Sequence, residues 1–196
     1  AVLQQIAELP PKKLMPRARL RSELVASLRS DPPLAGRFDT RLREGNDEEL
    51  VERTIIEALA SAGTREAEEV FVRFFEDGET LPRLRERLLA AATLMPNPSA
   101  EFLTSVATLM RHADGVQRAR YAVVVGGGVG SVGAAGSELV EDLVEAADAP
   151  LGSAHGGGTA GGGPPPASVD ERINWLAALG NTASADAMDL ILGALA

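Results

Sequence analysis

The feature that most constrains this chain is a helical hydrophobic period that returns segment after segment. Val51, Ile55, Leu59 and Ala62 fall at i, i+4, i+8 and i+11, and Ala67, Val70, Phe71 and Phe74 follow at i, i+3, i+4 and i+7. Further stripes are Leu84, Leu88, Ala91 and Met95, then Phe102, Val106, Leu109 and Ala113, then Leu139, Leu143, Ala146 and Ala147. Val169, Ile173, Leu176 and Gly180, and finally Ala187, Leu190, Ile191 and Ala194, complete the series. Each set lies along one side of a helix and must be covered by a neighbour. The apolar–polar alternation of a half-buried strand is almost absent. The period predicts an all-α chain of about nine or ten short helices.

Punctuation agrees with the period. Asn46 with Glu49 at N3, Thr64 after Gly63, Asn97 before Pro98, Ser137 before Glu138, and Ser168 with Glu171 all read as helix starts. Turn residues near Gly63, Pro96, Gly136 and Thr182 lie 33, 40 and 46 residues apart. That spacing suits helix pairs stacked in a solenoid. The run Ile56–Ala67 also lines up with Leu176–Ala187: in both, an Ala-Leu helix end passes through small residues to a Ser/Thr cap, an acid and an alanine. The expected architecture is an α-α superhelix, a HEAT-like solenoid, over 1–196 as a single domain. Because the chain opens on Ala-Val-Leu, it reads as a fragment of a longer chain. Within it, 150–167 is expected to be a disordered loop, since seven of the 17 residues from Pro150 to Pro166 are glycine and four are proline.

Composition removes several kinds of chemistry. With no cysteine there is no disulfide, thiol nucleophile or thiolate metal site, and two histidines cannot make a three-histidine site. The net charge of −9 disfavours nucleic acid as a partner. Residues 1–45 nevertheless carry nine Lys/Arg against five acids, leaving −13 for the rest. This basic segment reads as a solvated helix face or as a surface for an acidic partner or anionic lipid. The longest uncharged stretch outside the Gly/Pro segment, Tyr121–Ser137, has 17 residues and six glycines, so no membrane span is expected.

One motif suggests a cofactor. Gly128-Val-Gly130-Ser-Val-Gly133 is a G-x-G-x-x-G after Tyr121–Val125, which could be a strand, and before a helix. The acidic residue expected about 20 positions on is replaced by the Gly/Pro stretch. The alternative is a glycine-rich helix over Arg118–Val132, with Ala122, Gly126 and Val129 as a small-residue packing face. Other candidates are thinner. Glu66, Glu68, Glu69, Glu76, Asp77 and Glu79 read as solvated acids, His112 as a helix terminator, His155 as a loop residue, and Trp175 as core. No catalytic residue, metal ligand or cofactor-binding residue is assigned, and no enzyme is expected.

The run Ala178–Ala187 resembles a HEAT-type turn. Taken in order, Arg53–Ala67, Glu86–Leu103 and Trp175–Asn181 resemble the helical domain of the vitellogenin and microsomal triglyceride transfer protein group. The resemblance covers roughly residues 46–196 and implies a curved helical scaffold bracing a lipid-carrying β-cavity elsewhere in a longer chain. The expected function is a non-enzymatic scaffold or recognition domain, its partner another protein or another domain of the same chain, with lipid reached through the full-length protein. The alternatives are a HEAT-type protein-interaction module without lipid and a nucleotide-binding module using Gly128, Gly130 and Gly133.

Overall fold

The helical periods become helices. The structure, a computed structural model, describes residues 2–8, 14–152 and 167–195. Among these residues there are eleven α-helices, one 3-10 turn and no strand. The contacts divide the chain into two units, one ending at Asn97 and one beginning at Pro98.

The first unit holds α1 (Val2–Ala7), α2 (Leu14–Ser30), α3 (Leu34–Glu44), α4 (Glu49–Ala62), α5 (Arg65–Glu76) and α6 (Pro82–Ala92). Each helix packs on the next, while α2 also packs on α4, α3 on α5, and α4 on α6. The helices α2, α4 and α6 therefore form one row and α3 and α5 another. The stripes on α4 and α5 are buried as their period predicts, and each large apolar side chain taken from water there contributes about 1.5–3 kcal/mol. Gly45 and Gly63 end α3 and α4 at φ 64° and 63°, where a Cβ would be strained. Arg29 donates to the carbonyls of Ala62 and Ser61, each at 3.0 Å, satisfying acceptors left open at the end of α4.

Polar contacts join the α3–α5 row. Arg43 donates to Asp39 at 2.8 Å and to Asp77 at 2.6 Å, with its guanidinium 4.4 Å from the centroid of the Phe74 ring. Arg73 donates to the second oxygen of Asp39 at 2.9 Å. Asp77 accepts the backbone N–H of Glu79 at 3.0 Å. That bond, with the Arg43 guanidinium, holds the Asp77 carboxyl below its usual value.

The second unit holds α7 (Ala100–His112), α8 (Gly115–Gly128), the 3-10 turn Val129–Ser131, α9 (Ala134–Gly152), α10 (Val169–Gly180) and α11 (Ala185–Leu195). Here too neighbours pack in sequence, and α7 packs on α9, α8 on α10, and α9 on α11. The crossing of α8 and α10 is set by glycine: a Cβ on Gly126 would stand 2.3 Å from the Ala178 carbonyl oxygen. Trp175, Ala178 and Leu179 are buried one turn apart on α10.

Several local expectations move. The α4 N-cap is Glu48, not Asn46; Asp47 between them is clamped by Arg41 through two bonds, so the turn holds until Glu49. The α7 cap is Ser99, which accepts from Phe102 N, two residues after Asn97. Gly133, at φ 58°, precedes α9, so Ser137 and Gly136 lie inside that helix. Gly136 is there because a Cβ would come within 2.5 Å of the Val129 oxygen. Thr64 and Ser168 cap as expected, accepting from Ala67 N and Glu171 N. The α7 stripe drifts to Met110, leaving Leu109 and Ala113 half-buried, and on α6 Ala92 is buried rather than Ala91. On α10 the stripe is displaced: Val169 and Ile173 are exposed, because Trp175 takes the core side of the helix. On α11 only Ala187 of the predicted set is fully buried. Helix α9 runs through Gly152, so residues 150–152 are helical, and the rest of the expected loop up to residue 166, with His155, lies outside the described residues.

Candidate functional site

The row of α2, α4 and α6 in the first unit carries three grooves. Between α2 and α4 lies a groove of about 300 Å³ lined by Arg17, Ala18, Arg21, Arg53, Thr54 and Glu57. It shares Arg21 with a wider depression of about 680 Å³ lined by Ser22, Val25, Ala26, Arg29, Ser30 and Ser61. Between α4 and α6 a third groove, about 300 Å³, shares Arg53 and Glu57 with the first and adds Glu49, Ile56, Arg87, Ala90, Ala91 and Leu94. Shared residues make the three one continuous face.

That face is arginine-rich in an acidic chain. It presents Arg17, Arg21, Arg29, Arg53 and Arg87 against Glu49 and Glu57, with no lysine among its lining residues. Not all of this charge is available. Arg29 is committed to the α4 carbonyls, and Arg87 is held by Glu49 and by the nearly buried Glu52. The open charge is at the α2–α4 groove. Glu57 there accepts from both Arg21 Nη1, at 3.2 Å, and Arg53 Nε, at 2.8 Å. One carboxylate faces two guanidiniums, and Arg17 adjoins them with no acidic partner among the described residues. Beside this cluster, Leu94 is 80% exposed. The arrangement offers planar donors for carboxylates next to an apolar step; it holds no nucleophile with an adjacent base.

The sequence candidates fall elsewhere. Residues Tyr121–Gly128 are helical, so the strand required before a dinucleotide-binding turn is absent, and no strand exists among the described residues to pair with one. Gly126 and Gly128 serve packing: a Cβ on Gly128 would stand 2.7 Å from Leu103 and Pro98 side-chain carbons. Gly130 and Gly133 line a recess of about 360 Å³ together with Gly136, Ser137, Thr182 and Ser184. Its charged lining residues are Glu141 and Asp186, which would oppose a phosphate. His112 ends α7, exposed, with Nδ1 2.8 Å from the Thr108 carbonyl oxygen. Trp175 is fully buried. Glu68 is nearly buried rather than solvated, whereas Glu66, Glu69, Glu76 and Glu79 are exposed. Among the described residues no three metal-ligating side chains gather, and no helix is long and apolar enough to cross a membrane.

The arginine cluster has a partial trace in the sequence. Arg17 and Arg21 are four apart on α2, and Arg53 and Glu57 four apart on α4, so each pair shares a helix face. Bringing the two pairs together requires the α2–α4 packing, which skips α3. No protein-family model matches the chain, and neither the curated proteins nor the solved structures supply a match.

Proposed function

We propose that this chain is a non-enzymatic helical-repeat recognition domain, an α-solenoid of stacked helix pairs that works through its helix faces. The observation that carries the reading is the correspondence of two helix pairs. Ile55, Ala58, Leu59 and Ala67 stand at the positions of Trp175, Ala178, Leu179 and Ala187, and all eight are buried. The turns correspond as well, with Gly63 and Ala183 both in the left-handed region. Packing of α2 on α4, α3 on α5 and α4 on α6 in the first unit, and of α7 on α9, α8 on α10 and α9 on α11 in the second, supports the same reading.

Stability in such an array is a sum over units and neighbour interfaces. Truncation after Gly152, which removes α10 and α11, is therefore expected to leave a cooperatively melting helical remainder by circular dichroism. Complete loss of the helical signal would mean one indivisible core and would end the repeat reading. The lipid-handling role implied by the resemblance belongs to the same proposal. Stacked helices spend their apolar stripes on their own core, so solvent extraction of the purified 196-residue chain should release no stoichiometric lipid, and lipid in a longer chain containing it would support that role.

A further inference from the structure

We infer that the α2–α4–α6 face of the first unit is a docking surface for an acidic protein segment, with Arg17, Arg21 and Arg53 receiving its carboxylates and the groove beside Leu94 receiving an apolar side chain. The inference rests on the recognition-domain reading and names its partner chemistry. Its basis is an imbalance of charge. Glu57 accepts one bond from Arg21 and one from Arg53, 3.2 and 2.8 Å long. A guanidinium has five N–H donors in a fixed fork, so most of the donor capacity of these two arginines remains open. Both stay accessible, their side chains 45% and 64% exposed. Arg17 lines the same groove and adds a third positive charge. An incoming carboxylate gains from all three at once, where Glu57 alone cannot neutralise them.

The partner is a protein segment rather than an anionic membrane for two reasons. Carboxylates are set among the cations, Glu57 between Arg21 and Arg53 and Glu49 on Arg87. A continuous negative surface would press against both, whereas a segment with spaced acids can avoid them. The cations also sit in grooves rather than at the ends of projecting lysines, and an arginine fork suits a single carboxylate held in place. Ile56, Ala90, Ala91 and Leu94 form the apolar lining next to the cluster, which suits one aliphatic side chain flanked by acids.

The test uses the full 196-residue chain and a short fluorescein-labelled peptide of Glu pairs separated by Leu, read by fluorescence anisotropy. The Glu peptide is expected to bind saturably and to weaken with added salt. Its Gln counterpart is expected to bind at least about tenfold more weakly, each exposed charge pair supplying a small factor. Combined Arg17→Gln, Arg21→Gln and Arg53→Gln substitution should cost a similar factor, while Arg65→Gln on α5 should cost nothing. Glu57→Gln should strengthen binding about two- to threefold by removing the competing carboxylate; this gain cannot come from misfolding. Absence of saturable binding, equal binding by the triple variant, or weakening by Glu57→Gln would overturn the inference. So would cosedimentation with phosphatidylserine vesicles that depends on the same arginines while the peptide does not bind. None of these outcomes bears on the truncation experiment, so the two readings fail separately.

Discussion

Replacing Gly126 by alanine tests the packing of the second unit at its tightest point. In an exposed helix the change would be favourable by about 1 kcal/mol, because alanine restricts the unfolded chain and suits the helix better. Here the new Cβ would lie 2.3 Å from the Ala178 carbonyl oxygen and 3.0 Å from its carbon. Those atoms are backbone and cannot rotate away. Relief requires α8 to retreat from α10 by roughly 1 Å, a gap that forfeits a quarter to a half of each affected dispersion contact. Overpacking costs about 1–3 kcal/mol, and a backbone clash belongs at the upper end. After the propensity gain, the net loss is about 2 kcal/mol, or roughly 4–8 °C in Tm for a chain of this size. Trp175, the sole tryptophan and fully buried on α10, reports from the same interface. Urea unfolding followed by its fluorescence should show a lowered midpoint with an unchanged slope. Gly36→Ala is the counterpart: Gly36 lies within α3 and nothing comes within 4 Å of its Cβ position, so that variant should gain up to about 1 kcal/mol. A Gly126→Ala protein as stable as its parent would refute the close-approach argument.

The turn between α10 and α11 offers a gain of stability. Ala183 sits at φ 53°, whereas Gly63 occupies the corresponding place at φ 63°; Ala183→Gly should relieve about 1–2 kcal/mol of strain and return part of it as unfolded-state entropy, leaving a higher urea midpoint. The displaced α10 stripe gives a contrast. Ile173→Ser, at a side chain 57% exposed, should change stability by no more than about 0.5 kcal/mol, while Leu179→Ala should cost about 2–5 kcal/mol; equal losses in chemical denaturation would place the helix in the wrong phase. Asp77 gives a pH dependence. Its carboxyl is held below the ordinary value of 3.8 by the Glu79 N–H and Arg43, so its contribution is complete above about pH 4 and disappears as pH falls through the folded value. The stability gap between the parent and Asp77→Asn should therefore narrow between pH 6 and pH 3, and a gap that widens on acidification would reverse the assignment.

Helix existence was legible in the chain itself because it depends on local information. A 3.6-residue period, a hydroxyl at Thr64 or Ser168 and a glycine at position 63 act within one or two turns of backbone, and all keep their predicted roles. Phase was legible only where one apolar stripe had no rival. On α5 one stripe dominates, Ala67, Val70, Phe71 and Phe74, and it is buried. On α10 two faces compete, Val169 and Ile173 against Trp175 and Leu179, and the packing against Gly126 of α8 selects the second. That choice depends on a glycine about 50 residues away, whose missing side chain signals an unusual φ and a close approach equally well. The glycine motif is ambiguous for the same reason: residues 128–133 satisfy a phosphate-binding pattern, while in the fold Gly128 clears space for the Leu103 and Pro98 side chains and Gly133 takes φ 58° ahead of α9. The arginine face shows the complementary case. The sequence by itself determined that Arg17 and Arg21 share one side of a helix, and Arg53 and Glu57 one side of another, because i to i+4 spacing is a property of the helix. Only the tertiary structure decided that α2 lies beside α4, with α3 in the other row, and so set Glu57 between Arg21 and Arg53. Ion pairs are too weak and too long in reach to specify that arrangement; the burial of Leu24, Leu28, Ile55 and Leu59 does so, and the charges follow where the core takes them.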